Sequence, residues 1–158
     1  MDLEIIKQEI LDLYDICIEK TEPFHIKIDI CIVPNYLSDL VFEKTGIDIS
    51  NHLITIDNYG ITHAILKHGN VKTELNRGQI DLEKEDFILF FDRIITSDNI
   101  SFIGKTKKTS LTLLQFEKLL DSKIIIILEV RTIQSKEKNK ANRLVFHTMY
   151  KKIKSNKN

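Results

Sequence analysis

The 158-residue sequence predicts an α+β fold: helices followed by a four-stranded antiparallel sheet, with an N-terminal helix-strand-helix extension in front. Three observations predict it. Before Asp98, apolar residues recur mainly at intervals of three and four, the spacing of a helix face that packs on a core. After Asp98 the period changes to two, as in strands whose faces differ. The links between those later segments are short enough for antiparallel hairpins, and helices grouped ahead of hairpins is an α+β order.

Each element has its own signal. Within residues 2–20, Leu3, Ile6, Ile10, Leu13, Tyr14 and Cys17 form one stripe, which predicts an amphipathic helix. Residues 25–33 (HIKIDICIV) alternate and stop at Pro34, as a half-buried strand does. A helix over residues 36–44 follows, closed by Gly46 as its C-cap. Residues 1–47 are expected to be an acidic accessory segment, residues 48–154 the main domain and residues 155–158 a disordered tail. In the main domain, residues 53–56 suit a brief strand, Asn58-Tyr59-Gly60 a turn, and residues 61–68 a helix stopped by Gly69-Asn70. A turn or short helix is expected around residues 71–76. A longer helix is expected over residues 82–95, with Phe87, Phe90, Phe91, Ile94 and Ile95 on its apolar side. The four strands are read at residues 100–104, 110–118, 123–132 and 143–153.

The chain length suits a single domain, since cores usually split only beyond about 200 residues. The longest apolar runs, residues 87–91 and 124–128, hold five residues each, far short of the roughly 20 that cross a bilayer. The acidic N-terminus lacks the basic start and small-residue site of a secretory signal, so a cytoplasmic location is expected, without membrane association. Cys17 and Cys31 form no CxxC pair and suit buried thiols in a reducing compartment.

A net charge of zero conceals a gradient. Residues 1–50 hold 4 Lys/Arg against 11 Asp/Glu, residues 51–100 hold 5 against 8, and residues 101–158 hold 14 against 4. The basic end would concentrate a polyanion and bind phosphates in a salt-dependent way. A solvated lysine-rich hairpin would account for the same charges.

Candidate chemistry centres on Ile61-Thr62-His63-Ala64-Ile65-Leu66-Lys67-His68-Gly69. On a helix, His63 and Lys67 share a face and His68 lies at the frayed end. A spacing of five does not suit chelation by one helical face, and no HExxH pattern is present, so no metal or other cofactor is expected. Imidazole titrates near pH 6.5 and can move protons, while Lys67 can stabilise charge on phosphate oxygens. One packed histidine and another favouring the helix C-terminus would account for the trio equally well. His25 and His52 stand alone beside strands and suit structural or exposed roles. The phenylalanines at residues 87, 90 and 91 fall at helical spacing and suit core positions.

His63-Ala64-Ile65-Leu66-Lys67-His68-Gly69 resembles the His-x-x-x-[Arg/Lys]-His-Gly pattern of phage-associated barnase/EndoU/colicin/RelE-like nucleases, the PBECR families. Further similarity lies in the Gln79-Ile80 turn with Glu85-Asp86 opening the next helix, in the strand ending Glu129-Val130-Arg131, and in the last strand Phe146-His147-Thr148-Met149-Tyr150-Lys151. The resemblance runs from about Ile56 to Ile153. It implies a BECR-like domain that cleaves RNA by internal attack of the 2′-hydroxyl, leaving a 2′,3′-cyclic phosphate, without a metal. His63 would be the general base or acid with His68 as its alternative, Lys67 would complete the catalytic set, and Arg131 and Thr148 would contact phosphate. Tyr150 would orient the scissile group, and His147 and Lys151 are further substrate-binding candidates. A phage or mobile-element effector or toxin of this kind would have RNA as its partner and leave a role for an inhibitor or immunity protein. A catalytically inactive RNA-binding or phage-structural module of the same fold is the competing expectation.

Alternation places Glu129 and Arg131 on one face of their strand, where they would also suit a surface pair of little energetic weight. In the last strand it puts Thr148 and Tyr150 on the face of Leu144 and Phe146, with Arg143, His147 and Lys151 opposite. The helices are expected on one sheet face and the basic site on the other.

Overall fold

A computed structural model describes residues 2–20, 22–138 and 140–154. The elements run α1 (Leu3–Glu19), β1 (Lys27–Ile32), α2 (Asn35–Thr45), β2 (Leu53–Asp57), α3 (Asn58–His68), α4 (Val71–Asn76), β3 (Gln79–Ile80), α5 (Lys84–Ile88), α6 (Phe90–Ile95), β4 (Asn99–Lys105), β5 (Thr112–Leu119), β6 (Ile124–Ile133) and β7 (Arg143–Ile153). The expected tail at residues 155–158 lies outside the described residues.

The α+β class is correct, but the sheet is wider than the four strands expected. Seven strands form it in the order β1-β2-β7-β6-β5-β4, with β3 added to β7. The meander from β4 to β7 is antiparallel throughout. Two of the extra strands come from the front: β1 pairs with β2, and β2 lies parallel to β7. Gln79-Ile80, expected as a turn, is the short strand β3 against Lys151 and Lys152. The strands at residues 25–33 and 53–56 were legible as strands, but pairing between segments so distant in sequence leaves no local signal, so their place in the same sheet was not.

One apolar cluster joins the helices to the sheet. It contains Ile10 and Leu13 of α1, Leu37 and Val41 of α2, and Phe87, Phe90 and Ile94 of α5 and α6, packed on Phe116, Leu128, Phe146 and Met149 of the sheet. The front segment therefore contributes to the same core. It is also tied to β7 on the other face, where Asp29 accepts from Arg143 Nε at 2.9 Å and from the Thr55 hydroxyl at 2.7 Å. Gly46 closes α2 at φ 75°, as its position suggested.

Two helix expectations need correction. The segment over residues 82–95 is two short helices, because Leu89 adopts φ −90°, ψ 0° and turns the chain. That corner leaves Phe87 and Phe90 both edge-on to the Phe146 ring. Asn58-Tyr59-Gly60 is not a turn but the first turn of α3, started by Asp57, whose carboxylate accepts from Gly60 N–H at 2.9 Å.

The placement of α3 creates the site. β7 pairs with β2 through residues 143–145 and with β3 only at Lys151 and Lys152, which leaves the middle of that β7 edge without a strand. The first turn of α3 enters there. A Cβ on Gly60 would overlap the Phe146 carbonyl oxygen and ring, so only glycine lets the helix approach this closely.

Candidate active site

A β-bulge on β7 decides which side chains face the site. Glu129 is opposite Thr148, yet Val130 is opposite Phe146, so His147 is an extra residue without a partner. Before the bulge, Leu144 and Phe146 are in the core; after it, Met149 is. Thr148 and Tyr150 are thereby moved to the face of Glu129 and Arg131, the reverse of strict alternation.

A cleft of about 660 Å³ lies on this face. Its walls are His63, Lys67 and His68 from α3, Glu129 and Arg131 from β6, His147, Thr148 and Tyr150 from β7, and the β4–β5 loop from Lys105 to Thr109. The loop adds the exposed Lys105, Lys107 and Lys108. The rings of His63 and His147 are 5.4 Å apart, and His68 stacks on Tyr150 at 5.2 Å. Thus α3 runs beside β7 with its histidines matched to that strand's site residues.

Buried groups hold several of these side chains. Arg131 Nη2 donates to Asp57 Oδ2 at 2.6 Å, so the carboxylate that starts α3 also aims a cleft arginine. Glu74, fully buried on α4, accepts from His68 Nδ1 at 3.1 Å and from Arg77 Nη1 at 3.0 Å. Among the described residues, Thr148 Oγ1 and Arg131 Nε are buried without a hydrogen-bond partner. Buried polar atoms are normally satisfied, and both residues line the cleft.

The electrostatics favour neutral imidazoles in a positive field. Burial, followed by the charges of Arg131, His63 and Lys67, pushes His147 down to about 4. Burial also lowers His63, with Lys67, His68 and Arg131 adding to the effect. Glu129 is raised by burial, partly offset by Lys67. Tyr150 is raised by burial and then by Glu129 and Glu117.

Of the residues singled out in sequence, His63, Lys67, His68, Arg131, His147, Thr148 and Tyr150 come together here. Lys151 does not. Its Nζ pairs with Asp86 Oδ2 at 2.8 Å, beside Arg93 on the same carboxylate at 2.9 Å, because the bulge places it on the helix-covered face. His52 is structural, buried between Ser50 O and the Gln134 amide. The thiols of Cys17 and Cys31 are free and half-buried.

Glu129 has a larger place in the cleft than its sequence context suggested, and Asp57, Glu74 and the lysine loop belong to the site without having stood out in the sequence. Glu129 had a signal, a carboxylate amid the apolar run of β6. Asp57 had one as the acidic residue just ahead of a helix. Glu74 had none, since nothing local marks it as fully buried. Among the described residues, no three His, Cys, Asp or Glu side chains converge to hold a metal ion, and no helix is long and apolar enough to cross a membrane.

The α+β fold thus carries a basic cleft with paired histidines, and the family model that it matches is one of nuclease-like domains. Residues 32–158 match the model of the phage-Barnase-EndoU-ColicinE5/D-RelE like nuclease3 family, PBECR3, and the chain belongs to that family. No curated protein and no solved structure matches the chain.

Proposed function

We propose that this protein is an endoribonuclease that cleaves RNA by attack of a ribose 2′-hydroxyl on the adjacent phosphorus, without a metal. One observation carries the proposal: the His63 and His147 rings face each other at 5.4 Å in a cleft that also holds Lys67 and Arg131. The reaction needs one group to take the 2′-hydroxyl proton and another to protonate the departing 5′-oxygen, as the O2′–P bond forms and the P–O5′ bond breaks. Bound phosphate offsets the charges of Lys67 and Arg131, so one of the two imidazoles can then carry a proton. His63 and His147 form this acid–base pair, and His68 supports the cleft through Tyr150. Arg131 and Thr148, which line the cleft, receive the non-bridging oxygens, where donors stabilise the charge that develops. In the cell, such an activity fits a cytoplasmic phage or mobile-element effector restrained by an inhibitor protein.

The test is incubation of purified protein with RNA in excess EDTA, with product ends identified chemically. Cyclic phosphate ends are expected, and His63→Ala or His147→Ala should lower the rate by about 100-fold or more. Undiminished cleavage by His63→Ala would remove that residue from the mechanism, and activity restored only by a divalent ion would overturn metal independence. Intact RNA with salt-sensitive binding would replace the enzyme by a binding module of the same fold.

A further inference from the structure

A second hollow, of about 400 Å³, shares His63 with the basic cleft. Its walls are Lys20, Glu22, Pro23 and Phe24 on one side and Tyr59, Thr62, His63 and Leu66 of α3 on the other, with Asn58 at its base. His63 thus faces both the basic cleft and this hollow. The two differ in chemistry. The cleft gathers lysines, an arginine and histidines, whereas the hollow presents flat and aliphatic surface, with Tyr59 53% and Leu66 79% exposed. The Tyr59 ring lies 5.0 Å from that of His25, and Lys20 Nζ sits 5.3 Å from the centre of the Phe24 ring.

The wall formed by Lys20, Glu22, Pro23 and Phe24 is fastened to α3 at its Phe24 end. Asn58, 3% exposed, accepts from Ile26 N–H at 2.8 Å and donates to Phe24 O at 2.8 Å through its side chain. Its own backbone N–H donates to Ile26 O at 3.1 Å. These bonds set the spacing between Phe24 and Tyr59 before any ligand arrives. All four residues of this wall precede residue 32, where the family match begins.

We infer that this hollow is a nucleobase subsite, in which a base of the RNA strand held in the basic cleft stacks between Tyr59 and the wall of Pro23 and Phe24. The inference rests on the proposed ribonuclease function for the identity of the strand. Contiguity through His63 sets the occupant: a strand whose phosphate lies in the cleft beside His63 has its neighbouring nucleoside within reach of the hollow. Aromatic side chains bind bases through their π faces, and the exposed Tyr59 ring matches that use. The volume falls within the range of small-ligand sites. The N-terminal segment thereby supplies part of the substrate site.

The experiment measures binding of a short single-stranded 2′-O-methyl RNA, which cannot undergo 2′-hydroxyl attack, to the full-length protein. Tyr59→Ala is expected to weaken binding about tenfold, while Tyr59→Phe, which keeps the ring, should bind like wild type. An oligonucleotide series with one abasic position moved along the strand should contain one position at which the Tyr59→Ala effect disappears. Leu66→Asp, which adds a negative charge to an exposed wall position, provides a second variant and should also weaken binding. Equal binding by wild type, Tyr59→Ala and Leu66→Asp would overturn the subsite, and so would a Tyr59→Ala effect independent of abasic position. Because the probe is not cleaved, the two proposals separate. Loss of binding in Tyr59→Ala without any RNA cleavage by wild type would leave the subsite standing and remove the enzyme. Cleavage by wild type without any Tyr59 effect on binding would do the reverse. Wild-type protein that does not bind the probe would overturn the subsite.

Discussion

Asp57 connects folding to the candidate chemistry, and replacing it should reveal both roles. Its carboxylate receives Gly60 N–H at 2.9 Å as the N-cap of α3 and Arg131 Nη2 at 2.6 Å across the sheet. Losing a helix N-cap costs about 1 kcal/mol. Removing one partner of a buried ion pair costs about 3–5 kcal/mol, because the other charge is left uncompensated. The side chains of Asp57 and Arg131 are only 7% and 16% exposed, but Arg131 borders the cleft and can recover some hydration, which favours the lower end of that range. Asp57→Ala should therefore lose about 4 kcal/mol of stability, roughly 8–16 °C in Tm for a chain of this size. Asp57→Asn keeps an oxygen for Gly60 but loses the charge, and should cost about 2 kcal/mol. The assay is urea unfolding at pH 7 of wild type, both variants, Arg131→Ala and the Asp57→Ala/Arg131→Ala double variant. A coupling energy within about 0.5 kcal/mol of zero would refute the ion pair as the source, and equal losses for Ala and Asn would refute the separate capping contribution.

Three further outcomes follow from particular contacts. His147 is held near 4 in the fold, against about 6.5 in an unfolded chain. The unfolded chain therefore takes up this proton first, so the contribution to stability is complete above about pH 6.5 and is lost as pH falls towards 4. Urea unfolding of His147→Gln across that window should show a shallower decline than wild type; parallel curves would contradict the burial argument. Gly60→Ala should destabilise by about 1–3 kcal/mol, the usual cost of overpacking, and measurement of an unchanged urea midpoint would show that α3 can move off Phe146. If Lys107 and Lys108 each contact a phosphate, Lys107→Glu/Lys108→Glu should weaken single-stranded RNA binding and reduce its log–log salt slope by about 1.4; an unchanged slope in a salt titration would place the strand elsewhere.

The sequence was most informative where a signal is local. The stripe of α1, the Gly46 cap and the period of two in β4 to β7 are each confined to neighbouring residues, and each appears in the fold. His63, Lys67 and His68 were found for the same reason, as polar groups crowded into one short helix. Long-range pairing was not legible. β2 beside β7 in parallel register, and β3 on the same strand, depend on partners many residues away. The His147 bulge was also hidden, because the apolar and polar order of β7 fits uninterrupted alternation until the partner strand is known. That single feature reversed the expected faces of Thr148 and Tyr150 and moved Lys151 from the site to Asp86. Glu74 illustrates a further limit: a carboxylate on a short polar helix reads as solvated, and only tertiary packing makes it the buried partner of His68 and Arg77.

The unpaired residue in β7 also makes this strand sensitive to length in a way its neighbours are not. Excising His147 would let the ladder close with ordinary alternation and leave everything that follows on its present face, Met149 inside and Thr148 and Tyr150 in the cleft. Such a deletion would take one imidazole out of the cleft and spare the packing of the strand. Retaining His147 in a regular ladder would do the opposite, turning Met149 outwards and Thr148 and Tyr150 towards the core. In β7, the spacing between Phe146 and Thr148 therefore carries information that side-chain identity alone does not.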